Sequence, residues 1–238
     1  MLLYYIRHGD PIYDPDSLTP LGQEQAKALA KRLIVHGVDK VYSSPSARAL
    51  QTARPLCDLL RLEPTLCPWA DEGLAARDFM IPYEPDRYTW CFFWEKIVRA
   101  FNTPAVRAMG EAWYEHPDFA EYRFGEGVKR VNAAVDEFML ELGFRHDREN
   151  ARYEVMTPNH SRVALFAHQG FGMSFMSSLL DIPYPMFSTH FDFSHSSMTV
   201  IHFPQRGDYV YPKTLQLSSD AHLYREGLLT GYNNGIRF

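Results

Sequence analysis

The sequence predicts an α/β fold, a three-layer αβα sandwich around a mostly parallel central sheet. Short apolar runs alternate along the chain with segments whose apolar residues recur every three or four positions. Turn residues separate the two kinds of segment. The order is therefore strand, helix, strand, which builds a parallel sheet covered on both faces. At 238 residues the chain can bury its own core in one domain, or in one domain with a substantial insertion.

The stretch "LLYYI" (2–6) is short, apolar and rich in aromatics, and reads as a buried strand. Residues 10–22 hold Pro11, Pro15 and Pro20 and read as a loop. Thr19 caps a helix with Pro20 in its first turn, and Leu21, Ala26, Leu29, Ala30 and Leu33 mark the buried face. Gly37 ends it. "KVYSSP" (40–45) is a second strand running into a loop, and 47–60 is a second helix with Ala49, Thr52, Ala53 and Leu56 inward. "VALFAH" (163–168) is a later strand, Gly170 opens a helix through Leu180, and "SMTVIHF" (197–203) alternates as a strand does. Residues 75–122 break this rhythm with Trp90, Phe92, Phe93, Trp94, Phe101, Trp113, Tyr114 and Phe119. Within them 90–101 and 104–114 read as helices. The segment is expected to be an insertion packed over the sheet of a single domain, 1–238.

Composition narrows the function classes. A net charge of −5 argues against a general polyanion-binding surface, so no nucleic-acid partner is expected. Cys57, Cys67 and Cys91 form no C-x-x-C pair, which suits free thiols in a reducing compartment. "MLLYYI" is too short for a signal segment, and no apolar run approaches the roughly 20 residues needed to span a bilayer. The expected location is cytoplasmic, with no membrane partner. Asn159-His160-Ser161 matches a glycosylation sequon by chance on this reading.

The polar residues of interest lie where strands should end. Arg7-His8-Gly9 follows the first strand, Ser43-Ser44-Pro45 with Arg48 the second, and His168-Gln169-Gly170 the run "VALFA". In open α/β sheets ligands bind beyond the carboxyl ends of the strands. If these strands are neighbours, two arginines and two histidines converge there, and such a crevice calls for an anion. Phosphate is the natural candidate, because arginine's planar fork matches its oxygens. Arg48 in the first turn of its helix opposes the helix dipole, a conflict that a bound anion removes. His190, Asp192 and His195 suggest a metal set at first sight. On a strand, however, His190, Asp192 and Ser194 would share one face while His195 takes the other, so no metal site is expected. Ser194 or His195 could instead line the anion pocket. "GFGMS" (170–174) lacks the third glycine of a dinucleotide fingerprint.

These segments together resemble the histidine phosphatase superfamily, the phosphoglycerate-mutase-like family. "RHGD" (7–10) looks like its Arg-His-Gly signature, and "LTPLGQEQAKALAKRL" (18–33) is similar to its Leu-Thr-x-x-Gly-x-x-Gln-Ala helix. "VYSSPSARALQTA" (41–53) resembles its Ser-Ser-Pro-x-x-Arg-x-x-Gln-Thr-Ala segment, "VALFAHQG" (163–170) its second-histidine strand, and "SSDAHL" (218–223) a frequent closing segment. The resemblance covers roughly 2–74 and 124–223.

It implies a phosphatase of the histidine acid phosphatase type, without metal or other cofactor, acting on a small or medium-sized phosphate monoester. His8 would be the nucleophile and form a phosphohistidine that water hydrolyses. Its attacking nitrogen must be neutral, so the other ring nitrogen needs a hydrogen-bond acceptor. Arg7, Arg48 and His168 would surround the phosphoryl group. A carboxylic acid in 68–79 would protonate the leaving oxygen; Glu72 is the best match and Asp71 its rival. Gln169 stands where glycine is usual, and its amide could bond the substrate. Asp14 stands in register with an asparagine that contacts phosphate, and Asp10 where the family often has glutamate. The loop after the first signature is shorter than mutases carry, which favours a phosphatase over a mutase. A mutase, or a phospho-ligand binding protein that kept the fold, is the alternative. The 75–122 insertion would be a lid over the substrate's organic part.

Overall fold

The structure is a computed structural model that describes residues 1–205, 207–232 and 235–236. In chain order it contains β1 (Leu2–Arg7), β2 (Pro11–Tyr13), β3 (Asp16–Leu18), α1 (Pro20–Leu33), β4 (Lys40–Ser43), α2 (Ala47–Leu60) and β5 (Thr65–Leu66). Then come α3 (Glu72–Phe79), β6 (Met80–Glu84), β7 (Arg87–Trp90), α4 (Glu95–Phe101), α5 (Pro104–Ala108), α6 (Phe124–Glu141), β8 (Phe144–Asp147) and β9 (Arg152–Val155). The chain closes with β10 (Arg162–Ala167), α7 (Gln169–Leu180), α8 (Tyr184–His190), β11 (Met198–His202), β12 (Tyr209–Val210), β13 (Lys213–Ser219) and α9 (Ala221–Arg225). Contacts divide it into two compact units. One comprises Met1–Asp71, Pro158–Gln169 and Phe193–Phe238; the other comprises Glu72–Thr157 and Gly170–Asp192.

In the first unit a six-stranded sheet has the order β13-β11-β1-β10-β4-β5. β1, β10, β4 and β5 pair in parallel, and β11 is antiparallel to both its neighbours, so the sheet is mostly parallel as expected. Tyr4 and Ile6 of β1 pack with Ala164 and Phe166 of β10 against Leu29 and Leu33 of α1 and Ala53 and Leu56 of α2. Leu3 and Tyr5, which alternate with them, are equally buried, as a strand inside a three-layer fold requires. Both helices start where their caps dictate. Thr19 Oγ1 accepts from Gly22 N–H, and Ser46 Oγ accepts from Ala49 N–H.

Residues 10–22 are not an open loop. Pro11–Tyr13 and Asp16–Leu18 pair as a tight antiparallel hairpin, which proline tolerates at a strand's first residue. The second unit holds the expected insertion 75–122 among its residues. Of the helix expected at 90–101 only Glu95–Phe101 forms; Trp90 closes β7, and a 3-10 turn, Cys91–Phe93, lies between. Of 104–114, Pro104–Ala108 is α-helical and the rest is a 3-10 turn. The aromatics make this unit's core. Trp113 stacks on Tyr184 with centroids 5.6 Å apart, and Phe101, Phe119 and Phe124 meet it at 5.2–5.5 Å. Asp78, buried in this apolar setting, is held by Arg77 and Arg130, each at 2.8 Å.

Candidate functional site

β1, β10 and β4 are adjacent and parallel, so their carboxyl ends lie side by side. That register places His8, one residue past β1, next to His168, one residue past β10. The rings meet edge-on with centroids 5.2 Å apart. Backbone bonds pin the strand ends together: His8 N–H to Ala167 O at 3.0 Å, Ser44 N–H to Phe166 O at 2.9 Å, and Ser196 N–H to His8 O at 2.9 Å. Tyr5 Oη donates to His168 O at 2.5 Å.

His8 is 3% exposed, and its Nδ1 lies 2.7 Å from the Gly9 carbonyl. A carbonyl only accepts, so Nδ1 carries the proton and Nε2 keeps its lone pair. Burial, then His168 and Arg7, push the His8 pKa well below the ordinary imidazole value, so this neutral form persists. His168 is held neutral likewise, by burial and by Arg48 and Arg7. Its Nε2 faces Ser44 Oγ at 2.8 Å, while Nδ1 has no hydrogen-bond partner among the described residues.

Arg7 is buried, and its Nη1 donates to Phe193 O at 2.5 Å. Arg48, in the first turn of α2, pairs through Nη1 with Asp16 Oδ1 at 2.7 Å, and its guanidinium carbon lies 5.5 Å from the Tyr13 ring. The other Asp16 oxygen accepts from Ala47 N–H at 2.7 Å. The hairpin's work is thus to orient Arg48 and close the start of α2. Asp14, the acid singled out from the sequence, is exposed at the hairpin's tip. The acid that engages Arg48 stands two positions later.

Gly9 allows the loop after β1 its close approach to α1. A Cβ there would lie 2.8 Å from the Gly22 carbonyl oxygen. Gly9 N–H donates to Thr52 Oγ1 at 3.0 Å, and that hydroxyl donates to the Arg48 carbonyl at 2.7 Å, tying the two loops together. Asp10 is fixed by Gln25 Oε1, which accepts from its N–H at 2.8 Å, and by the Thr19 hydroxyl at 2.7 Å. Its other oxygen lies 3.5 Å from His195 Nδ1, and the His195 ring stacks beside His8 at 5.8 Å. His195 therefore joins the cluster. The stretch 189–197 is not the strand used to sort its residues: α8 ends at His190 and a loop follows. Ser194, fully buried in that loop, has no partner for its hydroxyl among the described residues. Gln169 is buried in the first turn of α7. No group of three or more His, Cys, Asp or Glu among the described residues could hold a metal ion.

Glu72 belongs to the second unit, as the first residue of α3. Its two oxygens accept from Gly170 N–H at 2.9 Å and Phe171 N–H at 2.8 Å, donors in the opening turn of α7. A carboxylate is suited to this place, where the helix leaves amides without internal partners. Asp71 closes the preceding 3-10 turn, its N–H bonded to Pro68 O at 3.2 Å.

Residues 3–81 match the family model of the histidine phosphatase superfamily, branch 1. Phosphoserine phosphatase 1 of Hydrogenobacter thermophilus is 26% identical over 213 residues, covering 89% of this chain and 84% of that protein. The fold is shared with a phosphoserine phosphatase of Entamoeba histolytica solved with phosphoserine: TM-score 0.59, 19% identity, covering 93% of this chain and 98% of the other. A mycobacterial glucosyl-3-phosphoglycerate phosphatase solved with inorganic phosphate gives a TM-score of 0.57 at 20% identity, covering 93% and 98%. No helix among the described residues is long and apolar enough to cross a membrane. Arg7, His8, Gly9 and Arg48 stand in the segment that matches the histidine phosphatase superfamily, and the chain shares its fold with these solved phosphatases.

Proposed function

We propose that this chain is a phosphatase that hydrolyses a phosphate monoester of a small or medium-sized molecule through a phosphohistidine on His8. The observation that carries the reading is the buried His8 imidazole. It is neutral, with Nδ1 committed to the Gly9 carbonyl, and it stands beside His168, Arg7 and the first turn of the Arg48 helix. A neutral imidazole among cationic groups attacks phosphorus while its neighbours neutralise the equatorial oxygens. In the first step a bond forms between phosphorus and Nε2, and the ester oxygen leaves with its electron pair and takes a proton. In the second, water attacks phosphorus and Nε2 recovers its pair.

Glu72 is the residue we assign to protonating the leaving oxygen, with Asp71 as the alternative. To do so Glu72 has to turn one oxygen away from an α7 amide and carry a proton on it. The guanidiniums supply the positive charge that phosphoryl transfer requires. The relatives' names point to phosphorylated hydroxy compounds such as phosphoserine as first substrates to try. Selection of the organic part by the aromatic segment 75–122 belongs to the same proposal.

The test is phosphate release from p-nitrophenyl phosphate and from a panel of phosphorylated metabolites, by wild type and by His8→Ala. Turnover that vanishes in the variant supports the assignment. Absence of turnover in wild type on every donor overturns it and leaves a phospho-ligand binding protein. A phosphoenzyme that survives in water and transfers back to substrate makes the chain a mutase.

A further inference from the structure

Away from His8, the first unit has a cavity of about 890 Å³ at the margin of its core. This lies at the large end of the roughly 300–1,000 Å³ typical of ligand sites. Its floor is apolar, made by Tyr4, Leu33, Met198 and Val200, and Leu215 of β13 forms an exposed lip. Polar groups enter it from the end of α1 and from α9.

The charge around it is one-sided. Lys31, Arg32 and Arg225 line it against one acid, Glu226, which pairs with Lys31 at 2.5 Å. Arg32 has no ion pair among the described residues. Its Nη2 donates to Gln216 Oε1 at 2.6 Å and its Nη1 to Ser219 Oγ at 3.1 Å, both neutral acceptors. Asp220 acts on it from beyond ion-pair distance, and its carboxylate accepts from the Thr230 hydroxyl. His222, 3.5 Å from Arg32 Nη1, offers it only a neutral ring nitrogen. Burial, then Arg32, push its pKa down to about 4, so it is neutral near pH 7. A half-buried guanidinium, fixed by neutral acceptors at the edge of an apolar cavity, is complementary to an anion with an apolar body. The chain as a whole carries −5, so this concentration of cations is local.

We propose that this cavity is a binding site for a small amphipathic anion, an apolar body carrying a carboxylate, sulfonate or phosphate that pairs with Arg32. The site is separate from the His8 cluster, and its existence does not depend on the activity proposed above.

The experiment titrates the folded protein with 8-anilinonaphthalene-1-sulfonate and reads its fluorescence. One saturable site is expected, with decanoate displacing the probe and decanol at the same concentration failing to do so. Arg32→Gln is expected to weaken binding at least ~10-fold, the loss of one charge-assisted contact. Leu215→Glu, at an exposed position, places a repelling charge on the lip and is expected to do the same with an unchanged circular dichroism spectrum. Equal binding by wild type and both variants overturns the proposal. So does displacement by inorganic phosphate that Arg32→Gln leaves unchanged, which would place the probe at His8. So does a dimer abolished by Leu215→Glu with no probe bound to the monomer, which would make the cavity a contact between copies.

Discussion

Thr52→Val removes one hydroxyl and nearly nothing else, and its effect follows from two hydrogen bonds. Thr52, 1% exposed, accepts from Gly9 N–H at 3.0 Å and donates to the Arg48 carbonyl at 2.7 Å. Valine fills the same volume but leaves the Gly9 donor buried without an acceptor, which costs about 1–3 kcal/mol. For a chain of this size each kcal/mol lowers Tm by roughly 2–4 °C, so Tm should fall by about 2–12 °C. Activity should fall as well. The Gly9 carbonyl holds the His8 tautomer, and a shifted Gly9 peptide turns the imidazole away from phosphorus. The loss expected in kcat is ~10-fold or more, one charge-bearing geometry spoiled. Thr52→Ser keeps the hydroxyl, gives up one methyl worth about 1 kcal/mol, and should retain most of the activity. Thermal unfolding by circular dichroism, with kcat on an aryl phosphate, checks both. A valine variant indistinguishable from wild type, or a serine variant that loses as much as valine, refutes the reasoning.

Gly9→Ala should cost about 1–3 kcal/mol and most of the turnover, because its Cβ would press on the Gly22 carbonyl at 2.8 Å; urea unfolding with kcat measures both. Asp16→Asn should lower kcat/KM about 10-fold through loss of a charged anchor for Arg48, whereas Asp14→Asn at the exposed tip should leave it unchanged. His146, in the second unit, lies 2.9 Å from both Asp136 and Asp181. Burial alone would lower its pKa, but these carboxylates outweigh it and raise the value above 6.5. Its stabilisation is therefore complete below the unfolded value near 6.5 and fades as pH rises through the higher folded value. The destabilisation caused by His146→Gln, read from urea midpoints, should be larger at pH 6 than at pH 9.

The parts of the fold legible in the sequence are those with local causes. α2 runs over the expected residues because Ser46 caps it and its apolar spacing is regular. β1 and β10 are unbroken apolar runs, and the cluster of Arg7, His8, Arg48 and His168 follows from where strands end. α6 carries Phe124, Val128, Val131, Val135 and Phe138 at helical spacing, a readable signal that reasoning centred on the neighbouring aromatics passes over. β13 is half-exposed, with too little alternation to mark it. The pairing of β11 against β1, which delivers Ser196 and His195 to His8, is a tertiary fact that no local pattern encodes. Asp14 sits in the hairpin's turn whereas Asp16 opens its second strand, and a segment read as loop cannot separate them. Thr52 shows the converse: its inward position was legible on the helix face, but its partner Gly9 was not.

The central claim is that His8 carries the phosphoryl group. Rapid acid-free quenching of wild type with a radiolabelled phosphate ester, followed by peptide mapping, tests it most directly. The account predicts one phosphoryl group, stable in alkali and labile in acid, on the peptide containing His8, and none in His8→Ala. Label on another residue, or turnover with no phosphoenzyme at any quench time, would contradict it.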